Sequence, residues 1–407
     1  MKILRIIARL NVGGPARHVI WLTKELQDKE FQSVLIAGTV PVGEEDMNYL
    51  AAQNGVSPIY VEELSRELSF LDLISLYKIY RQIKFEKPDI IHTHTAKAGT
   101  VGRVAAFLYR WLTWQTLIGK PRNVSIVHTF HGHVFHSYYG KLKTTVFIAI
   151  EKILAWLATD KIVVISPQQF REIHSEIGIG KAPQFEIIPL GIGLEPFRGS
   201  ETRRETFRNE IGIEKNKLLV GFVGRLTEIK NLSLFLKIIS RYSHEDDAEL
   251  PQLRFIIVGD GHLRESLENE AKEMGLQQSV SFLGNRIDIE AVYAGVDIVA
   301  LTSFNEGTPL SLIEAMASRR PVISTSVGGV GDLLGRIEEV HDSFSVCERG
   351  IAVKPDSVEG FLKGLIYLVQ DETLREVLGK RGRTFVEAEY GKDRLVEDMR
   401  CLCRKLI

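Results

Sequence analysis

The chain contains little cysteine. Its 407 residues include three cysteines, Cys347, Cys401 and Cys403, and an odd number with two close to the C-terminus cannot form a disulfide framework. This count excludes a small secreted domain that is held together by disulfides. A reducing compartment suits the composition best, so we expect a cytoplasmic protein.

Long apolar runs are also absent. The N-terminal stretch is interrupted by Arg5 and Arg9, so it lacks the apolar region of a signal peptide and instead predicts a first strand. The most apolar long stretch, 104–118, carries Arg110 and is shorter than the ~20 residues that a membrane-spanning helix needs. The sequence therefore predicts no transmembrane helix.

The chain has almost no net charge, because 51 Lys and Arg oppose 52 Asp and Glu. This balance gives no global reason to expect a nucleic-acid partner, and we expect none. Hydrophobic residues make up 44% and charged residues 25% of the chain, as in soluble globular proteins. The length predicts two or three domains with sizeable cores.

Short apolar runs alternate with stretches of helical periodicity along the whole chain. The predicted strands are 2–8, 33–37, 89–92, 125–129 and 161–165, followed by 218–223, 254–258, 279–283, 298–301 and 322–324. Helical patterns such as 16–27, 71–84, 98–109 and 141–158 separate the strands of the first series. Such alternation predicts parallel sheets covered on both faces, so we expect an α/β fold of two doubly wound domains.

The two series are separated by the segment 188–197, which contains two prolines and two glycines. Such a composition is typical of a crossing between domains. We therefore predict an N-terminal domain at 1–190 and a C-terminal domain at 198–390.

Two turns that follow predicted strands carry residues suited to phosphate. Gly13 and Gly14 lie between the first strand and a helix, where backbone N–H groups and the helix dipole favour an anion, although a plain turn can need the same glycines. Arg225 and Lys230 follow the strand at 218–223, and a bidentate guanidinium with an ammonium suits a diphosphate. Each cation taken alone is equally typical of a solvated surface.

The segment 303–316, SFNEGTPLSLIEAM, is the most informative. Thr308 is predicted to cap a helix whose first residue is Pro309. Glu306 then lies in the preceding loop and Glu314 inside the helix. Carboxylates on both sides of free helix N–H groups can receive sugar hydroxyls, phosphate oxygens and a ribose diol. Glu314 alone is also consistent with an ordinary acid that the helix dipole stabilises.

Five motifs together resemble those of a known family. They are GGPARHV at 13–19, TFHGH at 129–133, VGRLTEIKN at 223–231, VGDGHLRESL at 258–267, and EGTPLSLIE at 306–314 with RPVISTSVGGV at 320–330. The chain resembles glycosyltransferase family 4, which comprises retaining nucleotide-sugar enzymes of the GT-B fold, and is most similar to bacterial members that build surface polysaccharides. The resemblance implies two Rossmann-like domains facing a cleft, with a C-terminal helix at 391–407 that packs back on the first domain.

The resemblance also implies roles for individual residues. Arg225 and Lys230 would hold the donor diphosphate. Glu306 would contact the donor sugar, Glu314 the ribose, and His131 would lie at the reacting sugar. The other residues implied for the donor are Gly13, Gly14, Gly224, Asn285, Arg286, Gly307, Thr308, Pro309, Leu310 and Ser311.

The implied reaction transfers a hexose or N-acetylhexosamine from a nucleotide diphosphate sugar, most simply a UDP-sugar, with retention of anomeric configuration. The implied acceptor is a growing polyprenyl-diphosphate-linked glycan in polysaccharide biosynthesis. No carboxylate is assigned as a nucleophile, because phosphate-binding cations and a helix start dominate here, unlike in retaining glycosidases. Two alternatives stay open: a sugar-nucleotide epimerase of the same architecture, and a non-catalytic sugar-nucleotide-binding component of an assembly complex.

Six of the eleven histidines lie between 92 and 136. His92 and His94 alternate onto one face of a strand, which makes a metal site geometrically possible. No Cys lies near, however, and no Asp or Glu follows before Glu151. We therefore expect no metal site and no cofactor, and interpret the cluster as neutral donors for sugar hydroxyls and phosphates.

One long stretch, 90–150, contains seven Lys and Arg but no Asp or Glu, and aromatic residues are interleaved with them. Basic and aromatic side chains together favour an interface with anionic headgroups. Aromatics packed in the core with scattered basic residues would give the same pattern. We predict an acceptor or membrane face, peripheral at the inner side of the cell membrane, formed by Lys97, Arg103, Lys120, Arg122, Lys141 and Lys143.

Overall fold

The computed structural model describes residues 1–11, 13–40, 46–64, 72–132, 141–199, 201–245 and 250–407. The chain divides into two compact units. The first consists of Met1–Gly191 together with Asp393–Ile407, and the second of Ile192–Lys392. The chain therefore leaves the first unit inside the Pro- and Gly-containing segment 188–197.

The first unit contains a seven-stranded sheet in which every pairing is parallel. Its strands are β1 (Lys2–Ile7), β2 (Gln32–Ala37), β3 (Ile59–Tyr60), β4 (Ile90–His94), β5 (Ser125–Thr129), β6 (Lys161–Val164) and β7 (Phe185–Ile187), in the order β3-β2-β1-β4-β5-β6-β7. The helices between them are α1 (Gly14–Glu25), α2 (Asn48–Gln53), α3 (Asp72–Glu86), α4 (Ala96–Trp111), α5 (Lys141–Leu157) and α6 (Pro167–Phe170).

The second unit contains an eight-stranded sheet. Its strands are β8 (Leu218–Val223), β9 (Leu253–Val258), β10 (Val280–Gly284), β11 (Ile298–Leu301), β12 (Val322–Thr325), β13 (Ile337–Val340), β14 (Phe344–Cys347) and β15 (Gly350–Val353), in the order β10-β9-β8-β11-β12-β15-β14-β13. The sheet is parallel except for β14, which runs antiparallel to both of its neighbours. The helices of this unit are α7 (Glu201–Glu210), α8 (Leu232–Ser243), α9 (Arg264–Glu273), α10 (Ile289–Gly295), α11 (Leu310–Ala317), α12 (Val330–Leu334), α13 (Val358–Gln370) and α14 (Glu372–Glu389). The predicted α/β class with two doubly wound sheets is confirmed.

The last helix, α15 (Lys392–Lys405), packs in the first unit. Leu395, Met399 and Leu402 join a buried cluster there with residues of β1, β4 and β5. Arg394 donates to the carbonyls of Pro189 and Leu190 at 2.7 and 2.8 Å. An apolar stripe thus buries one face of the helix against the sheet, as amphipathic helices do.

Helices cover both faces of the first sheet, because successive residues of a strand point to opposite faces. On one face, Leu4 and Ile6 pack in a cluster with residues of α3 and α4. On the other face, Ile3 lies in the cluster that includes α15, and Ile7 lies in a cluster with residues of α1. In such sheets the loops at the carboxyl ends of the strands carry ligand sites. No helix among the residues described combines the length and the apolar content that crossing a membrane requires.

Candidate active site

The turn after β8 places Arg225 at the surface. Gly259 lies opposite with φ +130°, and a Cβ on it would lie 2.0 Å from the carbonyl oxygen of Gly224, so this contact requires glycine. The N–H of Leu226 donates to the carbonyl of Asp260 at 2.9 Å, which fixes the turn. Arg225 itself is exposed, and its side chain makes no hydrogen bond or ion pair with any described residue. Its guanidinium is therefore free to meet an anion.

Lys230 and Glu306 lie together, although 76 residues separate them. The Lys230 Nζ donates to Glu306 Oε1 at 2.5 Å, and the Ser303 hydroxyl donates to the same oxygen at 2.6 Å. The hydroxyl of Thr302 also donates to the carbonyl of Lys230 at 3.0 Å, which joins the loop after β11 to the loop after β8. The fold thus brings a predicted diphosphate ligand to a predicted sugar ligand.

The start of α11 differs from the prediction. Thr308 was expected to cap this helix, but Pro309 is the N-cap residue and the helix begins at Leu310. The predicted cap is wrong because Pro309 adopts an extended conformation with ψ 114°, which places it outside the helix. The Thr308 hydroxyl is buried without a partner among the described residues. The N–H groups of Leu310 and Ser311 also have no intrahelical acceptor, so all three can donate to a ligand.

Backbone packing supports the loop before α11. A Cβ on Gly329 would lie 2.1 Å from the carbonyl oxygen of Gly307, so the two backbones touch. The N–H of Gly329 donates to the carbonyl of Glu306 at 3.2 Å, and the Thr325 hydroxyl donates to the carbonyl of Ser303 at 2.6 Å. The end of β12 and the segment after it thereby fix the loop that carries the predicted sugar and phosphate contacts.

Glu314 lies inside α11 and is buried. One of its carboxylate oxygens accepts a hydrogen bond from the hydroxyl of Tyr293 at 3.1 Å. Burial raises the pKa of the Tyr293 hydroxyl, and the nearby Glu314 carboxylate raises it further, so Tyr293 stays protonated and donates. Sequence reasoning missed Tyr293, because it belongs to α10 and no motif marks it.

Two residues implied for the donor, Asn285 and Arg286, lie after β10. Asn285 is exposed. The guanidinium of Arg286 pairs with Glu210 at 2.5 Å and with Asp288 at 2.7 Å, and it lies 5.6 Å from the ring centre of Phe207. These two carboxylates raise the pKa of Arg286. The N–H groups of the Arg286 guanidinium are thus already bonded to these two carboxylates, so Arg286 orders the loop around Asn285.

In the first unit, a histidine cluster lies beside the carboxyl ends of β4 and β5. His94 and His131 are joined by a hydrogen bond of 2.9 Å between Nδ1 and Nε2. The ring centre of His92 lies 4.1 Å from that of His94, and the ring centre of His18 lies 4.8 Å from that of His131. His18 comes from α1, which begins at Gly14 with Gly13 as its N-cap residue. Sequence reasoning did not include His18, although the GGPARHV motif contains it.

These histidines are neutral. Burial lowers the pKa of His131 to about 3. Burial also lowers the pKa values of His18, His92, His94 and His128 well below the ordinary value, and neighbouring histidines and arginines add to the effect. Neutral imidazoles can each donate one hydrogen bond and accept another.

The prediction that Lys97 and Arg103 belong to an exposed basic face is wrong. Lys97 and Arg103 are buried, at 4% and 0% exposure. Lys97 pairs with Asp72 at 2.6 Å, and Arg103 pairs with Glu151 at 2.6 Å. Glu151 directly follows the acid-free stretch and Asp72 lies on α3 before it, so the fold supplies the counter-charges that the stretch lacks.

The other members of that face differ in exposure. Lys120 is exposed. Arg122 lies over the ring of Tyr109 at 4.5 Å and donates to the Tyr109 carbonyl at 2.6 Å, so it is partly engaged. The side chains of Lys141 and Lys143 lie outside the part that the structure describes.

Two family models match the chain. The model described as Glycosyltransferase Family 4 matches residues 12–195, and the model described as Glycosyl transferases group 1 matches residues 203–385. The two matches correspond closely to the two units and together span most of the chain.

Known proteins are similar over long stretches. The UDP-Gal:alpha-D-GlcNAc-diphosphoundecaprenol alpha-1,3-galactosyltransferase of Escherichia coli is 28% identical over 340 residues, which cover 81% of each protein. The GalNAc-alpha-(1->4)-GalNAc-alpha-(1->3)-diNAcBac-PP-undecaprenol alpha-1,4-N-acetyl-D-galactosaminyltransferase of Campylobacter jejuni is 35% identical over 176 residues, 42% of this chain and 45% of the relative. The structure of Anabaena Alr3699/HepE in complex with UDP is similar with a TM-score of 0.80 at 18% identity, and the comparison covers 100% of both chains. The chain therefore belongs to glycosyltransferase family 4, and it is a glycosyltransferase of the GT-B type.

Proposed function

We propose that this enzyme transfers a hexose or N-acetylhexosamine from a UDP-sugar to a polyprenyl-diphosphate-linked glycan in polysaccharide biosynthesis, with retention of anomeric configuration. The observation that carries the proposal is the set of groups in the loops after β8 and β11. An unpaired Arg225, the Lys230–Glu306 pair and the start of α11 lie in these neighbouring loops of one sheet. Two similar enzymes, from Escherichia coli and Campylobacter jejuni, act on undecaprenol-linked glycans by name, and Alr3699/HepE binds UDP.

The proposed chemistry is stabilisation of a leaving diphosphate. Charge grows on the diphosphate as the glycosidic bond breaks, and fixed cations and N–H groups stabilise such charge without reorganising. Arg225 meets the diphosphate directly, while Lys230 turns from Glu306 towards it. Glu306 then accepts from hydroxyls of the donor sugar. His131, as a neutral imidazole, remains the proposed contact to the reacting sugar.

We assign no covalent role to Glu306. Its Oε1 accepts from the Ser303 hydroxyl at 2.6 Å and, before the donor binds, from Lys230 at 2.5 Å. Phosphate-binding cations and a helix start dominate this site, unlike the paired carboxylates of retaining glycosidases. A donor phosphate oxygen takes the acceptor proton instead. Glu314 contributes its carboxylate to the ribose diol.

Product stereochemistry tests the proposal. The enzyme is incubated with α-linked UDP-glucose, UDP-galactose, UDP-N-acetylglucosamine or UDP-N-acetylgalactosamine and a lipid-diphosphate glycan acceptor. We expect one of these donors to give a product whose new linkage is α, read from the anomeric coupling constant in the proton NMR spectrum. A β linkage would contradict retention while leaving glycosyl transfer intact.

We predict that transfer needs no divalent metal ion. Among the described residues of the donor loops, the Glu306 carboxylate is paired with Lys230, and cations from the protein can neutralise a diphosphate in place of a metal. Activity after exhaustive chelation should be at least that of the untreated enzyme. A complete loss that only added metal restores would show that a metal-diphosphate complex is the true donor.

The proposed membrane face lies at the ends of α4 and α5. Exposed apolar side chains lie at the end of α4 and directly after it, at Trp111, Leu112, Trp114, Leu117 and Ile118. Others lie along α5, at Val146, Ile153, Trp156 and Leu157. Arg110 at the end of α4 pairs with Asp160 just after α5, which brings the two ends together. Trp114 is 87% exposed, which is rare for tryptophan in a monomeric protein.

Positive charge accompanies these side chains. Lys120 and Lys152 are exposed beside them, and the acid-free stretch contributes no opposing carboxylate. Apolar and aromatic groups with lysines at their rim favour an anionic bilayer surface. We therefore propose that this face holds the enzyme at the membrane that contains its acceptor.

Vesicle binding tests the membrane face. Replacing Trp114, Leu117 and Ile118 together by Ser should weaken binding to vesicles with anionic lipid more than tenfold, because about 1.5–3 kcal/mol accompanies full burial of each large apolar side chain. Raising the salt concentration should weaken wild-type binding as charges are screened. The matched control replaces Ile287 and Val340, which are exposed in the second unit, and should bind normally. Equal binding of the triple variant and the control variant to the vesicles would contradict the proposed membrane face.

A further inference from the structure

Three histidines from different elements converge in the first unit. His18 lies on α1, His94 ends β4, and His131 follows β5. Each offers one ring nitrogen, and these three nitrogens lie within 4.8 Å of one another. Ligands of a tetrahedral Zn²⁺, at 2.0–2.1 Å from the ion, lie about 3.4 Å apart. Side-chain adjustments of about an ångström or less for each ring would bring the nitrogens to that spacing.

Several of these nitrogens have no partner. Both ring nitrogens of His18, Nε2 of His94 and Nδ1 of His131 make no hydrogen bond to any described residue. His18 is 3% exposed and His94 is 0% exposed. A buried polar atom without a partner costs about 1–3 kcal/mol of stability. The cluster thus contains buried ring nitrogens that no residue in the described part of the chain satisfies.

We propose that His18, His94 and His131 bind one Zn²⁺ ion per chain. The ligands are three imidazoles without a carboxylate, a set that suits Zn²⁺ and other first-row transition metals but not Mg²⁺ or Ca²⁺. A water molecule completes the coordination, as in open three-histidine sites. The proposal differs from the sequence-based expectation of no metal site, which did not include His18.

Two positive charges oppose the ion. Arg5 on β1 pairs in register with His92 on β4, and Arg394 of α15 also lies within electrostatic range of His18. The Arg5 guanidinium donates to the Ser33 hydroxyl at 2.8 Å, which holds it towards β2. These charges lower the affinity for Zn²⁺ and make the site reversible.

The bound ion has a consequence for the enzyme, and this one step rests on the proposed function. Zn²⁺ would coordinate the ring of His131 that is proposed to contact the reacting sugar. The site would therefore inhibit transfer, in agreement with the prediction that catalysis needs no metal. Binding itself is measured without any sugar nucleotide, so failure of the site and failure of the proposed activity are separate results.

Cobalt substitution tests the site. The full chain, freed of metal by chelation, is titrated with Co²⁺ while visible absorption is recorded. We expect intense d–d bands typical of four-coordinate Co²⁺ that saturate at one equivalent and disappear when Zn²⁺ is added. His18→Gln should weaken the affinity for Zn²⁺ at least about 100-fold. The matched control His262→Gln changes an exposed histidine that contacts Glu228 and should behave as wild type.

Two further measurements make the result decisive. Cys401→Ser should leave the bands unchanged, because a thiolate ligand would add a near-ultraviolet charge-transfer band that three imidazoles cannot give. Ring ¹⁵N spectra of the wild type should show three histidines that shift on addition of Zn²⁺, which needs no variant to fold. Weak octahedral spectra, absence of saturation, or His18→Gln with unchanged affinity would each overturn the site.

Discussion

Replacing Arg225 or Lys230 by Ala should lower kcat by about 10² or more while the donor still binds. Both cations are proposed to meet charge that grows on the diphosphate in the transition state, and removal of such a group lowers the rate by this order of magnitude. Arg225→Ala is the cleaner variant, because its side chain has no partner among the described residues and its loss should leave stability unchanged. Steady-state kinetics with thermal unfolding of the same samples separates the two effects.

Lys230→Ala differs from Arg225→Ala in one respect. It leaves the buried Glu306 carboxylate without its counter-charge, so some stability should be lost as well. Combining Lys230→Ala with Glu306→Gln should restore that stability but not the rate. Lys215→Ala removes a surface lysine paired with Glu205 and is the matched control. Full activity in a folded Arg225→Ala or Lys230→Ala enzyme would exclude the assignment to the leaving group.

Mild acid should destabilise the first unit strongly. Burial lowers the pKa values of five histidines, His18, His92, His94, His128 and His131, from an ordinary value of 6.5. Below pH 6.5 these histidines bind protons in the unfolded chain but stay neutral in the folded chain. The free energy of unfolding therefore falls as the pH falls. Each such histidine contributes up to about 1.4 kcal/mol per pH unit. Several kcal/mol should therefore be lost between pH 7 and pH 5.

Urea unfolding across this pH range measures the effect. Stability should be nearly constant above pH 7 and should decrease progressively below pH 6.5. His18→Phe removes one buried, unpartnered imidazole and should make the decrease shallower, whereas His262→Phe changes an exposed ring and should not. A stability that stays constant down to pH 5 would show that the histidines accept protons in the folded state.

Much of the fold could be predicted because buried parallel strands are continuous apolar runs. β5 at Ser125–Thr129, β8 at Leu218–Val223 and β11 at Ile298–Leu301 have the predicted bounds, and the other predicted strands differ by one or two residues at an end. β3 was missed because two residues, Ile59–Tyr60, carry no periodic signal. The hairpin of β13 and β14 was missed because β13 is exposed throughout and reads IEEV, with two charges.

The site could be predicted where motifs keep their residues close in sequence. The loop with Glu306 and Glu314 follows that rule. Tyr293 and His18 were missed because their contacts are made only in the folded chain, at 3.1 Å between Tyr293 and Glu314 and at 4.8 Å between the rings of His18 and His131. Arg103 was misassigned because its counter-charge Glu151 lies 48 residues away on another helix.

Acceptor dependence tests the central claim most directly. The enzyme is incubated with the panel of UDP-sugars, with and without a polyprenyl-diphosphate-linked glycan, and the lipid extract is analysed by mass spectrometry. We predict that the acceptor gains the mass of one hexose or N-acetylhexosamine from one donor, and that donor consumption is slow without acceptor. Rapid conversion of the donor without acceptor, with no change in acceptor mass, would contradict the account and indicate an epimerase.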